Sequence, residues 1–158
     1  MNITKTIYMA TDHAGYELKE YIKSFLKENY PDIYIIDFGA NTYEPADDYD
    51  DYVHKAGGAL AHDINQNILD SKSIVFGGSG QGEGMIMNRY KGVRCTVYYG
   101  GELSIISLGR EHNDANALSL GARFINQKEI KQIINLFLNT DFEAGRHVNR
   151  VIKIDNLL

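Results

Sequence analysis

Apolar residues along this chain alternate between strand-like runs and helical spacing. Thr6-Ile7-Tyr8-Met9-Ala10 is a short β-type run, and Tyr16 to Asn29 then puts Leu18, Ile22, Phe25 and Leu26 on one helical face. Pro31-Asp32 closes that helix, and Ile33 to Asp37 reads as the second strand. A polar stretch from Gly39 to Asp51 follows, with Pro45 and five acidic residues, too long for a simple turn. From Tyr52 onward Val53, Ala56, Leu60, Ala61, Ile64 and Ile68 return to helical spacing, with Gly57-Gly58 lowering propensity but permitting close packing. Ser73 to Phe76 is the third strand, Arg94 to Tyr99 the fourth, and Ala117 to Leu120 the fifth, with a short helix over Glu102 to Gly109. Lys128 to Asn139 gathers Ile130, Ile133, Ile134, Phe137 and Leu138 on one face, and His147 to Leu158 predicts one more helix, apolar enough to dock on something.

Strands alternating with helices predict an α/β fold whose parallel sheet is covered on both faces and reached by right-handed crossovers. In such sheets ligands bind beyond the carboxyl ends of the strands. The residues directly after strands one, three and five are Asp12-His13, the run Gly77 to Gly84, and Arg123.

With 158 residues, 44% hydrophobic and 23% charged, the chain fits one domain, with a core over about 5–140 and an extension over about 141–158. A net charge of −5 argues against a general nucleic-acid binder, yet sixteen Lys and Arg can still cluster around one small anion. The single cysteine, Cys95, excludes an intrachain disulfide and a Cys-rich zinc site. No signal-peptide pattern opens the chain and no apolar run is long enough for a membrane span, so the expectation is a cytoplasmic protein without a membrane partner.

Five of the eight residues from Gly77 to Gly84 are glycine, which lets amide groups converge on an anion. The next residues, Met85-Ile86-Met87-Asn88, can open a helix. A P-loop is excluded because Glu83 stands where the lysine must be, and the dinucleotide fingerprint because Glu83 occupies its third small position. Glu83 alone would read as a carboxylate at a helix N-terminus; inside a glycine nest it becomes a candidate for chemistry.

Asp12-His13-Ala14-Gly15 can cap the first helix with Asp12 and turn His13 to the crevice, or be an ordinary cap beside a surface histidine. Gly109-Arg110-Glu111-His112-Asn113-Asp114 is dense in proton-transferring and polarising side chains, in a linker before strand five. Arg146 and Arg150 are four apart, the spacing at which two guanidinium groups serve one phosphomonoester. No close set of metal ligands is visible, for His54 and His62 are eight residues apart without a partnering carboxylate, and metal-independent chemistry is expected. Cys95 inside a strand and Ser79 outside a G-x-S-x-G elbow favour acid–base over covalent catalysis.

Asp12-His13-Ala14-Gly15, Gly77-Gly78-Ser79-Gly80-Gln81-Gly82-Glu83, Arg110-Glu111-His112-Asn113-Asp114 and Gly145-Arg146-His147-x-x-Arg150 together resemble the ribose-5-phosphate isomerase B family, which also includes galactose-6-phosphate and allose-6-phosphate isomerases. The resemblance runs in order from about Ile7 to Arg150. It implies a three-layer Rossmann-like domain with strand order 2-1-3-5-4, a homodimer or dimer of dimers with shared active sites, and no cofactor. It further implies aldose–ketose isomerisation of a phosphosugar, most simply ribose 5-phosphate, through an enediolate. Many members place a cysteine base directly after strand three, where this chain has Gly77; another branch carries Gly-Gly-Ser-Gly-x-Gly-Glu and uses the glutamate, here Glu83. By the same resemblance Ser79 with the amides of Gly78, Gly80 and Gly82 holds the enediolate oxygen, His112 and Asp12 open the ring, and Asn113 polarises the substrate. His13, Arg146 and Arg150 take the phosphate, with Arg123 a further ligand. Other phosphosugars remain open, hexose 6-phosphates and tetrulose phosphates among them, because the motifs fix the chemistry better than the length of the sugar. The stretches Gly39 to Asp51 and Tyr99-Gly100-Gly101 are the candidates for setting that length. A non-catalytic phosphosugar-binding subunit is the reading from another class.

Overall fold

The computed structural model describes residues 4–157. Five parallel strands, β1 (Thr6–Thr11), β2 (Tyr34–Asp37), β3 (Ser71–Gly77), β4 (Cys95–Tyr98) and β5 (Ala117–Gly121), form one sheet in the order β2-β1-β3-β5-β4, as the resemblance implies. The helices are α1 (Tyr16–Asn29), α2 (Asp50–Asn65), α3 (Gln81–Met87), α4 (Ser104–Asn113), α5 (Ile130–Asn139) and α6 (Val148–Asp155). Side chains alternate across each strand. Ile7 and Met9 therefore enter one core, against Ile22 and Leu26 of α1, Ile106 of α4 and Ile133, Ile134 and Phe137 of α5. Tyr8 and Ala10 enter the other, with Val53, Ala56 and Leu60 of α2 and Met87 of α3. The strand order reverses between β1 and β3, so the crevice beyond their carboxyl ends is where a ligand of such a sheet belongs.

Several element bounds differ from the expectation. Helix α3 begins at Gln81, not Met85: Gly80, at φ +75°, turns the chain into it, and the Ser79 hydroxyl oxygen accepts from the Gln81 amide at 3.4 Å. Glu83 is thus in a helical first turn rather than in a loop. Helix α4 runs on past Gly109 to Asn113, so His112 is helical and only Asp114 to Asn116 link it to β5. Gly109 is no stop signal; a Cβ there would collide with the Thr96 hydroxyl on the sheet, and the helix ends instead at Asp114, in the left-handed region at φ +45°.

A buried ion cluster secures the end of β2. Lys19, fully buried, donates to both Asp37 carboxylate oxygens at 2.7 Å and to the Ala40 carbonyl at 2.7 Å, and Lys23 joins at 2.7 Å. Burial pushes the Asp37 carboxyl upward, but its bonds to Lys19, Lys23 and the Gly39 amide outweigh that and hold it below the usual range. The polar stretch after β2 therefore leaves the sheet from a fixed point.

Candidate active site

At the carboxyl edge of the sheet, β1 and β3 deliver their residues side by side. Asp12 is buried, and its Oδ1 accepts from the Ala14 amide at 2.9 Å, capping the single turn that leads into α1. The Thr11 hydroxyl donates to the Phe76 carbonyl at 2.9 Å and so ties the ends of β1 and β3 together. His13 is half-buried, and both its amide and its Nδ1 engage Asp47 Oδ1, at 2.9 and 2.8 Å. The hydrogen bond to Asp47, against partial burial and with help from the Asp12 charge, raises the His13 pKa. Tyr43 packs edge-on against the same ring at 6.2 Å.

Glu83 is 4% exposed, and its carboxyl group lies over the Cα of Gly77, the last residue of β3; a Cβ at position 77 would fall inside that carboxyl group. Only glycine fits there. Burial raises the Glu83 pKa and the Asp12 carboxylate adds to the rise, while its own amide pulls the other way, so the group is a stronger base than an exposed glutamate. Among the described residues the amides of Gly78, Ser79 and Gly80 donate to no protein acceptor, the Ser79 side chain is exposed, and the Arg123 guanidinium lies over Gly78. The Tyr49 ring covers Gly82, and a cleft of about 250 Å³ adjoins the edge, lined by Ala14, Leu18, Tyr21, Arg123 and Ile125. Burial meanwhile pushes the Cys95 thiol up to about 12, which removes it as a nucleophile.

His112, Asn113, Arg146 and Arg150 do not join this cluster within the chain. Helix α4 descends from the end of β4, and the Asn116 that follows it donates to Arg94 O and accepts from Ser73 N, each at 3.0 Å, at the amino ends of β4 and β3. The two groups are therefore separated by about the length of a strand, some 15–20 Å. At that lower edge His112 stacks on His147, ring centroids 4.4 Å apart and planes 7° apart. Arg146 and Arg150 are exposed, without an ion pair or side-chain hydrogen bond among the described residues. Arg110 has a structural task instead, donating to Asp114 at 2.8 Å, Ala115 O at 2.7 Å and Thr140 O at 3.1 Å.

Sequence reasoning missed Asp47, Tyr49, Glu143 and His147. Asp47 belongs to the acidic stretch whose length was noted, but nothing in the spacing pairs it with His13, 34 residues away. Folding also brings together two groups that no sequence spacing shows: His112, Glu143 and His147, and likewise Asp12, His13 and Asp47, with potential ligand atoms within 4.8 Å of one another in each group.

The profile of the family described as Ribose/Galactose Isomerase matches residues 7–154. The chain belongs to that family. A relative named probable ribose-5-phosphate isomerase B from Mycoplasma pneumoniae is 36% identical over 154 residues, covering 98% of this chain and 95% of its own length. Ribose-5-phosphate isomerase B from Mycobacterium tuberculosis is 35% identical over 92% of this chain and 85% of its own. Among solved structures, ribose-5-phosphate isomerase B from Mycoplasma genitalium with bound ribulose 5-phosphate superposes with a TM-score of 0.87, at 30% identity over 98% of this chain and 97% of that one. The Thermotoga maritima ribose-5-phosphate isomerase has a TM-score of 0.82 at 36% identity, over 96% and 98%. The strand order and the two helical layers described above are thus those of the ribose/galactose isomerase family. No helix among the described residues is long and apolar enough to cross a membrane.

Proposed function

We propose that this chain interconverts ribose 5-phosphate and ribulose 5-phosphate by acid–base catalysis with Glu83 as the base. The observation that carries the reading is the buried Glu83 carboxyl group, with its raised pKa, at the carboxyl edge of the sheet beside unpartnered amides. Once the sugar ring is open, Glu83 takes the proton from C2, the bonding pair forms a C1=C2 double bond, and the C1 carbonyl oxygen becomes the enediolate oxyanion. The amides of Gly78, Ser79 and Gly80 with the Ser79 hydroxyl hold that oxygen, and the Gly82 amide, in the free first turn of α3, faces the same pole. The O2 hydroxyl then passes its proton to the C1 oxyanion, C2 becomes the carbonyl carbon, and the C1=C2 electron pair takes the proton back from Glu83 at C1. No metal or cofactor takes part in these steps. Cysteine-base members of the family would project their thiol from position 77; in this chain the Glu83 carboxyl group fills that volume, so one location serves two chemistries.

His112 and Asp12 transfer the ring-opening proton, Asn113 polarises the sugar, and His13, Arg123, Arg146 and Arg150 hold the phosphate. These groups come from opposite edges of the sheet, so one chain cannot assemble them. A homodimer in which the lower edge of one copy covers the upper edge of the other completes two equivalent sites, and it gives the C-terminal extension over about 141–158 its partner.

The test is to incubate the purified chain with tetrose, pentose and hexose phosphates in deuterated water and follow aldose–ketose conversion by NMR. Conversion strongest with ribose 5-phosphate, with deuterium entering at C1 of the ketose and, on reversal, at C2 of the aldose, is expected. Preference for another phosphosugar would overturn the substrate, and conversion of none of them would overturn the reaction.

A further inference from the structure

The lower edge of the sheet holds a group of side chains that isomerisation does not require in that arrangement. His147 is 4% exposed, and its Nε2 is buried without a hydrogen-bond partner. A buried imidazole nitrogen left empty costs about 1–3 kcal/mol unless something fills it. It faces Glu143 Oε2 at 3.7 Å, and His112 Nε2 approaches the same oxygen at 4.0 Å from the stacked ring. The backbone holds the three together: the Glu143 amide donates to Glu111 O at 3.0 Å, beside His112, and the His147 amide donates to Ala144 O at 3.0 Å. Ala144 between them has φ +57°, a conformation that a non-glycine residue keeps only where its surroundings impose it.

The geometry points to a site for a divalent first-row transition metal, zinc foremost, bound by His112 Nε2, His147 Nε2 and Glu143. Two imidazoles with one carboxylate form a zinc donor set, and bonds of about 2.0–2.2 Å at tetrahedral angles put ligand atoms about 3.3–3.6 Å apart. The two separations to Glu143 lie within a few tenths of an ångström of that range, and binding turns the His112 ring out of its stack on His147 so that both Nε2 lone pairs meet at one ion. The other assembled group is a poorer candidate, because His13 Nδ1 and Asp47 Oδ1 already bond each other at 2.8 Å and Asp12 Oδ1 caps Ala14. The consequence rests on the reaction proposed above: a metal that takes the His112 lone pair removes the group that opens the sugar ring, so the site is inhibitory.

The experiment uses the full chain stripped with EDTA. Titrated Co²⁺ gives the visible absorption of a tetrahedral site, saturating at one ion per chain, and Zn²⁺ displaces it. Glu143 is exposed, so Glu143→Gln leaves the fold and metal-free turnover unchanged. It weakens Zn²⁺ more than about tenfold, since even outer-shell partners of a metal ligand are worth 10–100-fold. His147→Gln does the same, and Zn²⁺ inhibition of turnover, reversed by EDTA, weakens by the same factor in Glu143→Gln. Absence of a saturable Co²⁺ spectrum, or equal Zn²⁺ affinity in wild type and both variants, overturns the site. Glu143-dependent binding without inhibition overturns the inhibitory role alone. The same binding in a chain that isomerises no phosphosugar leaves the site standing and removes the proposed reaction.

Discussion

The two edges of the sheet are prepared to different degrees. At the upper edge three of the ionisable groups have a partner or an enclosure within the chain: Asp12 caps Ala14, Asp47 holds His13 by two bonds, and Glu83 is shut over Gly77. At the lower edge Arg146 and Arg150 stand exposed with no counter-charge among the described residues, although the stacked histidines and Arg110 beside them are fixed. A base must be desolvated before substrate arrives, whereas phosphate-binding guanidinium groups gain by staying hydrated until the dianion and the partner surface close on them. In the proposed homodimer, the contrast separates a half-site complete in one chain from a half-site that waits for a second chain.

The largest effect comes from Glu83→Gln, which is isosteric and keeps the fold; kcat should fall about 10²–10⁴-fold with KM little changed. In the wild type kcat should fall as pH drops through a value above the ordinary carboxylate range, because Glu83 must be ionised to accept a proton. The same raised pKa has a stability counterpart. Between the unfolded and folded pKa values the folded chain binds more protons, so this group's contribution to stability declines as pH rises through that window. Glu83→Gln should accordingly raise the melting temperature at neutral pH, and a lower one would contradict the burial argument.

Next in size, replacing Arg146 and Arg150 together by Ala should lower kcat/KM by about 10²-fold or more, charge-assisted hydrogen bonds being worth about 1.5–3 kcal/mol each. Mixing this double variant with Glu83→Gln sharpens the comparison. If the edges meet only between chains, random pairing restores about a quarter of wild-type turnover, since each mixed dimer holds one intact site. No recovery after subunit exchange would mean that both halves act within one chain.

Lys19→Met probes the support of the upper edge. It leaves Asp37 and the Ala40 carbonyl buried without their principal partner, and urea unfolding should show a loss of about 3–5 kcal/mol. Asp37 is held below its usual pKa, so its share of stability is present above the unfolded value and is lost as pH falls through the folded one. The smallest effect belongs to Asp47→Asn. Asn keeps the Oδ1 acceptor but removes the carboxylate charge that helps raise the His13 pKa, and KM for the phosphosugar should rise by about tenfold near neutral pH and by less as the pH is lowered and His13 protonates without that charge.

The order of strands and helices was readable because apolar spacing changes period at each element, and the glycine run with Glu83 stood out by composition. Its local form was harder to read. The run holds five glycines, poor helix formers, yet a helix starts within it because Gly80 supplies the turn and β5 buries it, the Ser119 hydroxyl donating to Gly80 O at 2.6 Å. The edge on which His112 acts was hidden by one misread residue, Gly109, a packing glycine taken for a helix end. Asp47 and Glu143 carry no local signal, and His147, although within the last motif, has no role that its neighbours in sequence suggest, since their partners come together only when the chain folds.

The overlap between position 77 and the Glu83 carboxyl group also constrains how this lineage can change. A route to a cysteine base that first replaces Gly77 drives a new side chain into a buried carboxyl group, and a route that first trims Glu83 removes the proposed base. With Glu83 as the proposed base, either single step is expected to give a defective enzyme, and a laboratory conversion to a cysteine base must change both positions at once.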